Sequence, residues 1–355
     1  TQQLLNQPVG NINAGTIPNP DLKPMRVQEN EIGLEVTLFD NINIQASYYN
    51  KLSSDQILTA QISDASGFGN QLINVGESRN KGVELLGSFY PVRNNNFSWN
   101  FIANGAYNES EVLSLGDDVD GTFITVGTAE FHGEVRQVVG RPMAQLYGWG
   151  YLRDDQGRIV YDANNGRPLR SADQLEFGSA LPKWVGGFTN AFEFKGITAS
   201  FLIDFKLGHK LISGTHTNAY RHGLDKATLP GREEGFIIGD GVNPDGSINA
   251  TPAAIQPFYE TIRSHRMSEQ SVFRAGSWQL RQISVGYDFT RFVTGIDFIK
   301  GLKLDLVANN VAVLKQWVPH VHPDQNGIID DNRIGLESTG LPITRDIGFN
   351  LNVKF

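Results

Sequence analysis

Apolar and polar residues alternate with a period of two along most of the chain, and helical spacing is nearly absent. In "EIGLEVTLF" the apolar set is Ile32, Leu34, Val36 and Leu38, with Gly33, Glu35 and Thr37 between them. "INIQASYYN" sets Ile42, Ile44, Ala46 and Tyr48 against Asn43, Gln45 and Ser47. "FSWNFIANGAYN" sets Phe97, Trp99, Phe101, Ala103 and Tyr107 against Ser98, Asn100 and Asn104. "ITASFLIDFKL" places Ile197, Ala199, Phe201, Ile203, Phe205 and Leu207 opposite Thr198, Ser200, Asp204 and Lys206. "SWQLRQISVGYDF" changes phase, with Trp278 and Leu280 on one parity and Ile283, Val285 and Tyr287 on the other. A β-bulge near Arg281 absorbs the extra residue. With "KGVELLGSFY", "KWVGGFTNAFEF", "GLKLDLVAN" and the terminal "PITRDIGFNLNVKF", the alternation predicts about nine strands.

The links between these strands alternate in length. "DN" before Ile42, "VRNNN" before Phe97, "KG" before Ile197 and a stretch near 290–300 are short. Segments near 53–75, 110–182, 209–272 and 315–341 are long and rich in Gly, Asn, Asp and charge. This is the pattern of an all-β, antiparallel transmembrane β-barrel with short turns on one rim and long loops on the other. A soluble sandwich also alternates, since one sheet face is buried, but has no reason to keep its long loops at one end. If the last strand runs from outside to inside, every long loop falls outside. The phase then sends Phe201, Ile203, Phe205, Leu304 and Leu306 to lipid. It sends Glu35, Glu84, Asp204, Lys206, Lys303 and Asp305 to a hydrated lumen.

The chain has 355 residues and a formal net charge of -8, which excludes a nucleic-acid footprint. It has no Cys, and hence neither disulfides nor thiolate metal sites. Nothing approaches the roughly 18 consecutive apolar residues of a membrane helix. The first residue is Thr1 and no charged, apolar-cored leader precedes the pattern, which reads as a processed form or a fragment. No nucleophile elbow is present and all seven His lie in or beside loops, so no enzyme is expected.

Several blocks carry a resemblance. "NPDLKPMRVQENEIGLEVTLFDNINIQASYYNKLSSDQIL", "NVGESRNKGVELLGSFYPVRNNNFSWNFIANGAYNES", "GSALPKWVGGFTNAFEFKGITASFLIDFKLGHKLIS", "VFRAGSWQLRQISVGYDF" and "LPITRDIGFNLNVKF" resemble the C-terminal part of SusC/RagA-type TonB-dependent outer-membrane transporters of Bacteroidetes. The resemblance implies that residues 1–355 are the last portion of a barrel of about 22 strands. The family's plug domain, N-terminal extension and TonB box are not among them. It further implies TonB-dependent active import of an oligomeric nutrient, glycan or peptide, across the outer membrane. The implied partners are a SusD-like surface lipoprotein lid, the TonB–ExbB–ExbD system acting through the plug, outer-membrane lipid, and the barrel-assembly machinery that reads an ending such as Phe349, Leu351, Val353 and Phe355. The alternatives are a passive porin and a surface adhesive or structural β-protein.

Three stretches offer candidate chemistry. In "HVHPDQNGIIDDNRIG", Asp324, Asn326 and Asp330 stand at oxygen-ligand spacing around Gly327, as in a calcium loop. His322 replaces the expected first Asp and Arg333 the closing Glu, and the competing reading is a polar hairpin tip held by Asx-turns. The family's "DxNxDGxID" loop is similar. His320 and His322 suit a transition metal or a solvated pair, and no cofactor other than calcium is expected. In "QLYGWGYLRDDQGRIVYDANNGRPL", Tyr147, Trp149 and Tyr151 share a parity and would stack on sugar rings at a mouth, or else form loop core or an interface girdle. In "RHGLDKATLPGREEG", Arg232 and Glu233 are placed at a partner interface or on a solvated surface. The loops at 110–182 and 209–272 are expected to be ordered largely by the lid, because long polar segments without a core tend to be mobile.

Overall fold

The computed structural model describes residues 15–61, 66–116, 121–324 and 332–355, together with the backbone of 2–4 and 7–9. Nine antiparallel strands form one sheet: β1 Arg26–Leu38, β2 Ile42–Gln61, β3 Asn70–Arg93, β4 Phe97–Ser114, β5 Trp184–Phe194, β6 Ile197–Leu207, β7 Ser277–Asp288, β8 Gly301–Gln316 and β9 Asp346–Lys354. Each strand pairs with its neighbours in sequence, so the sheet is an up-and-down meander from β1 to β9. A short strand, Thr16–Ile17, adds to β3 in parallel. No described helix is long and apolar enough to cross a membrane.

The register turns the alternation into two faces. Across β4 to β7, Ala103 pairs with Phe188, Phe188 with Ile203 and Ile203 with Leu280, giving one apolar row. Leu304, Leu306, Phe349 and Leu351 continue that face, and Leu306, Phe349 and Leu351 are exposed. The expected lipid side is therefore the side the sheet presents. Aromatic rings band it at two heights. Near the long loops, Tyr107 meets Trp184 and Phe205 meets Trp278, both at 4.6 Å between centroids. Near the short turns, Trp99 meets Phe192 at 5.8 Å and Tyr287 meets Phe289 at 4.8 Å. Asn190 is a polar exception on this face, and its side-chain carbonyl accepts from the Trp99 indole N–H at 3.0 Å.

Local chemistry sets the ends and kinks. The β5–β6 link is the two residues Lys195 (φ 50) and Gly196 (φ 87), both left-handed, as a tight hairpin turn needs. Arg281 is the bulged residue, skipped in the registers of β7 with both β6 and β8, which bears out the phase change. The terminal strand begins at Asp346, three residues later than the alternation from Ile343 implied. Pairing stops there because Asn310 turns left-handed (φ 51) and its amide donates to the Thr344 carbonyl at 3.1 Å.

One expected loop is largely strand. Across 53–75, β2 and β3 stay paired out to Gln61 and Asn70. Beyond the membrane band both faces of a hairpin can be wet, so "SSDQILTAQ" loses the alternation that marks a strand. The other three long segments fold on each other. Residues 115–183 carry a four-stranded sheet of Phe123–Thr128, Glu134–Val138, Gln145–Tyr151 and Arg170–Ser179. Residues 208–276 carry helices α1 (Gly214–Arg221) and α2 (Ile255–Ser264) and the strands Lys210–Ser213 and Val272–Arg274. Leu336–Glu337 from the last loop pairs with Lys210–Ser213 in parallel. Ile73, Val112, Leu146, Phe177, Ile212 and Leu336 share one buried core drawn from β3, β4 and all three segments. Burying a Leu, Ile or Phe side chain contributes about 1.5–3 kcal/mol. The expectation that a lid orders these loops is overturned: they are ordered by a core of their own.

Candidate functional site

The concave side of the sheet is polar. An open trough of about 930 Å³ runs along it, lined among others by Glu31, Glu35, Gln45, Ser47, Glu84, Asn104, Asp204 and Lys206. Glu29, Tyr49, Lys51, Asn80 and Asn108 flank it. Toward β1–β3 the wall is rich in carboxylates, and Lys51 is the one cation among these flanking residues. Side-chain amides cross-link it: Asn43 and Gln45 both donate to Glu35, each at 3.3 Å. Tyr49 donates to Asn108 at 2.8 Å. Such a wall presents acceptors to hydroxyl, amide or ammonium groups passing along it.

Toward β6–β7 the wall ends in an ion network. The bulge throws Arg281 inward, where its Nε donates to Asp204 at 2.6 Å and its Nη2 to Asp324. Lys206 donates to Asp324 at 3.0 Å, and Gln279 donates to the other Asp324 oxygen, also at 3.0 Å. Burial pushes the Asp324 carboxyl up, but Arg281 and Lys206 outweigh it and hold the group below the ordinary carboxylate range. The network fastens the last long loop to the barrel wall at the upper end of the trough.

Above it, two further clusters fasten loop to loop. Glu337 is wholly buried and accepts from Ser213 Oγ at 2.7 Å, Thr215 N at 2.9 Å, Thr215 Oγ1 at 2.8 Å and Thr339 N at 2.6 Å. Ser213 also caps α1, accepting from the His216 N–H at 3.0 Å. His216 then lies 3.1 Å from Ser271 Oγ and 3.7 Å from Asp225, and Asp225 meets His320 at 2.8 Å. Burial holds His216 below the ordinary histidine range, against the pull of Asp225. Ser271, His216 and Asp225 have the composition of a relay for nucleophilic catalysis. Ser271 is wholly buried, however, and its oxygen also accepts from Thr217 at 2.8 Å, so no substrate reaches it.

The residues singled out from sequence lie as follows. Tyr147, Trp149 and Tyr151 share a face of Gln145–Tyr151, each against a partner. Arg136 stacks on Tyr147 at 4.6 Å, Arg170 stacks on Trp149 at 4.1 Å, and the Tyr151 N–H donates to Glu269 at 2.8 Å. Burial pushes the Tyr151 hydroxyl far up. The intervening glycines explain "YGWGY": a Cβ on Gly148 would strike Ser268, and one on Gly150 would strike Glu269. Arg232 pins its own turn, donating to the Thr228 carbonyl at 2.8 Å and to Thr228 Oγ1 at 2.7 Å, while Glu233 is exposed. Of the calcium trio, Asp324 is engaged by Arg281, Lys206 and Gln279, and Asn326 and Asp330 lie outside the described residues. His320 joins Asp225, whereas His322 accepts from the Asp324 N–H at 3.2 Å. Among the described residues no group of three or more His, Asp or Glu is placed to hold a metal. Glu337 and the His216–Asp225 pair carried no sequence signal, because Glu337 and His320 lie on the last loop, more than 90 residues from the Ser213, Thr215 and Asp225 they meet, and Ser271 lies 55 residues from His216.

Comparison with known proteins adds the following. A family model described as TonB dependent receptor-like, beta-barrel, matches residues 1–311. TonB-dependent receptor P26 of Formosa agariphila is 28% identical over 364 residues, covering 96% of this chain and 36% of the relative. TonB-dependent receptor P3 of the same organism is 22% identical, covering 99% of this chain and 36% of the relative. TonB-dependent receptor SusC of Bacteroides thetaiotaomicron is 23% identical over 45% of this chain and 17% of its own length. The structure of the RagAB peptide transporter superposes with a TM-score of 0.67 at 18% identity, over 95% of this chain and 36% of that one. This chain thus spans 36% of the length of the Formosa relatives it matches.

Proposed function

Because the chain belongs to the TonB-dependent receptor-like β-barrel family, we propose that it is the C-terminal part of an outer-membrane importer of an oligomeric nutrient, glycan or peptide. TonB, ExbB and ExbD would supply the energy through a plug carried elsewhere in the receptor, and a SusD-like lipoprotein would sit over the loop cap. The observation that carries this reading is the juxtaposition of an acceptor-rich trough with a cap of loops fastened to its upper end. The trough offers Glu31, Glu35 and Glu84 to a polar oligomer. The cap is fastened to the wall at Asp324 and knit together at Glu337, so it forms a seat of fixed shape for a lid. In this reading Glu233, which is exposed, is available to a partner, whereas Arg232 shapes the turn that presents it.

Two measurements test the proposal. Affinity purification of the tagged full-length receptor from native membranes should bring down a surface lipoprotein, and uptake of oligomers should cease in cells lacking TonB. Uptake that continues without TonB would make the protein a passive porin. A receptor that imports through TonB yet purifies alone would remove the lid from the reading and keep the importer.

A further inference from the structure

Where the outward face meets the loop cap, the sheet carries a pocket of about 340 Å³ lined by Leu207, Lys210, Arg274, Gly276 and Trp317 together with Gly208 and His209. The register fixes its orientation. Trp278 pairs with Phe205 on one side and with Lys315 on the other, so Lys315 lies on the outward face beside the upper aromatic band. Gly276 is two residues before Trp278 and shares its face. Leu207 and the Trp317 ring close over Gly276, and a Cβ added there would meet both at 3.2 Å. Lys210 and Arg274 stand directly opposite each other in the antiparallel pair of Lys210–Ser213 with Val272–Arg274.

The charge here is unbalanced. Lys210, Arg274 and Lys315 are all exposed, and among the described residues none of the three has a carboxylate partner. Like charges directly opposite on antiparallel strands destabilise the pair. Beyond the backbone ladder, no hydrogen bond or ion pair among the described residues uses the Lys210 or Arg274 side chain. Lys315 stands at the height of Trp278 with Nζ at 5.8 Å from the centroid of the Trp317 ring, and Lys210 and Arg274 lie beyond Gly276 toward the cap. Cations above an aromatic belt, with apolar surface below, match one kind of molecule: an amphiphile whose head is anionic.

We propose that this pocket binds the phosphoryl headgroup of a lipid in the outer leaflet. The phosphoryl oxygens would lie between Lys210 and Arg274, with Lys315 on the flank, and the acyl chains would run down over Leu207, Phe205 and Trp278. Arg274 offers a planar fork suited to two phosphoryl oxygens, and Lys210 a compact charge. The site rests on the outer-membrane reading of the convex face. It concerns the lipid around the barrel and not the transported cargo, and it would help hold the cap at the height of the interface.

The test is native mass spectrometry of the full-length receptor in detergent, titrated with diphosphorylated lipid A, with its dephosphorylated form and with inorganic phosphate. The wild type should retain the diphosphorylated lipid in preference to the dephosphorylated one. The double variant Lys210→Gln, Arg274→Gln should lose that preference about thirtyfold, as removal of two cations beside an anionic surface implies. Its migration on gels should still shift with heat. If the double variant proves unfolded, Lys210→Gln alone is read, with a loss of about fivefold expected. Equal retention of the two lipids by a wild type whose migration shifts with heat would overturn the site and leave the barrel reading standing. Displacement of the lipid by inorganic phosphate at equal concentration would overturn the lipid assignment in favour of a free-phosphate site. A wild type whose migration does not respond to heat would overturn the outer-membrane reading itself.

Discussion

Arg281 and Asp324, 43 residues apart in sequence, form an ion pair at the inner wall of the barrel. The pair exists because the bulge in β7 re-aims one side chain inward, and it places the last long loop over the trough. Both partners are mostly shielded, with side-chain exposures of 19% and 13%. Removing Arg281 leaves Asp204 without its ion-pair partner and Asp324 held by Lys206 and Gln279 alone, which costs up to about 3 kcal/mol. Arg281→Ala should therefore loosen the loop locally while β6 and β7 stay paired. Hydrogen exchange in residues 317–324 should rise by an order of magnitude or more, with little change in 283–288. Unchanged exchange in the loop would show that the pair does not fasten it.

The two faces of β6 differ in what they tolerate. Ile203 lies in the outward row between Phe188 and Leu280, while Ser200 faces the lumen between Ala191 and Ser284. Arg at Ile203, near the middle of the strand, should cost about 2–4 kcal/mol, and Arg at Ser200 should be mild. Folding yields in phosphatidylcholine vesicles report this directly. Equal yields for Ile203→Arg and Ser200→Arg would reverse the assignment of faces.

What was legible in sequence follows from periodicity. The nine strands, their faces and the bulge at Arg281 were all written in alternation, because lipid on one side and water on the other impose a period of two. The outer parts of β2 and β3 were not, because beyond the membrane that contrast disappears. The cap was misjudged for a related reason. Its core residues Ile73, Leu146, Ile212 and Leu336 come one or two per segment, so no segment looks apolar enough to pack alone. Of the candidate residues, Asp324 was singled out for calcium, and the described structure engages it with Arg281, Lys206 and Gln279. Glu337 could not be found, since a carboxylate in a Thr- and Gly-rich loop reads as solvated until its four donors are assembled.

Glu337 yields the sharpest test of the cap. Truncation to Ala leaves the buried Ser213 Oγ and the half-buried Thr215 N and Oγ1 without their acceptor, while the N–H of exposed Thr339 can turn to water. An orphaned buried donor costs about 1–3 kcal/mol, so the loss at Ser213 Oγ alone should make Glu337→Ala destabilise the cap by about that much. Glu337→Gln keeps one oxygen and should lose less. Limited trypsin digestion should cut Glu337→Ala first within 208–276, with β1–β4 left intact. Equal digestion of Ala and Gln variants would show that the carboxylate is not what joins these loops.

The last expectation concerns acid. Burial, chiefly, with Lys206 nearby, pushes His209 down to about 4, against the opposing pull of Asp324. Its unfolded value is near the ordinary 6.5. Between these two values the open form binds a proton that the closed form does not, so acid favours opening. The stability that neutral His209 allows is complete above about 6.5 and is lost progressively as the pH falls toward about 4. Asp324 is held below the ordinary carboxylate range, so it stays ionised through most of this window and does not account for the loss. His216 is shifted in the same direction by its own burial and should contribute a share. Relative to intrinsic exchange, which itself slows in acid, the protection of residues 208–216 should therefore fall between pH 7.5 and pH 4.5, and His209→Gln should flatten part of that dependence while the His216 share persists. An identical pH dependence in wild type and His209→Gln would mean that His209 stays solvated enough to be protonated in the closed cap, and the acid sensitivity would then belong to the His216, Asp225 and His320 cluster alone.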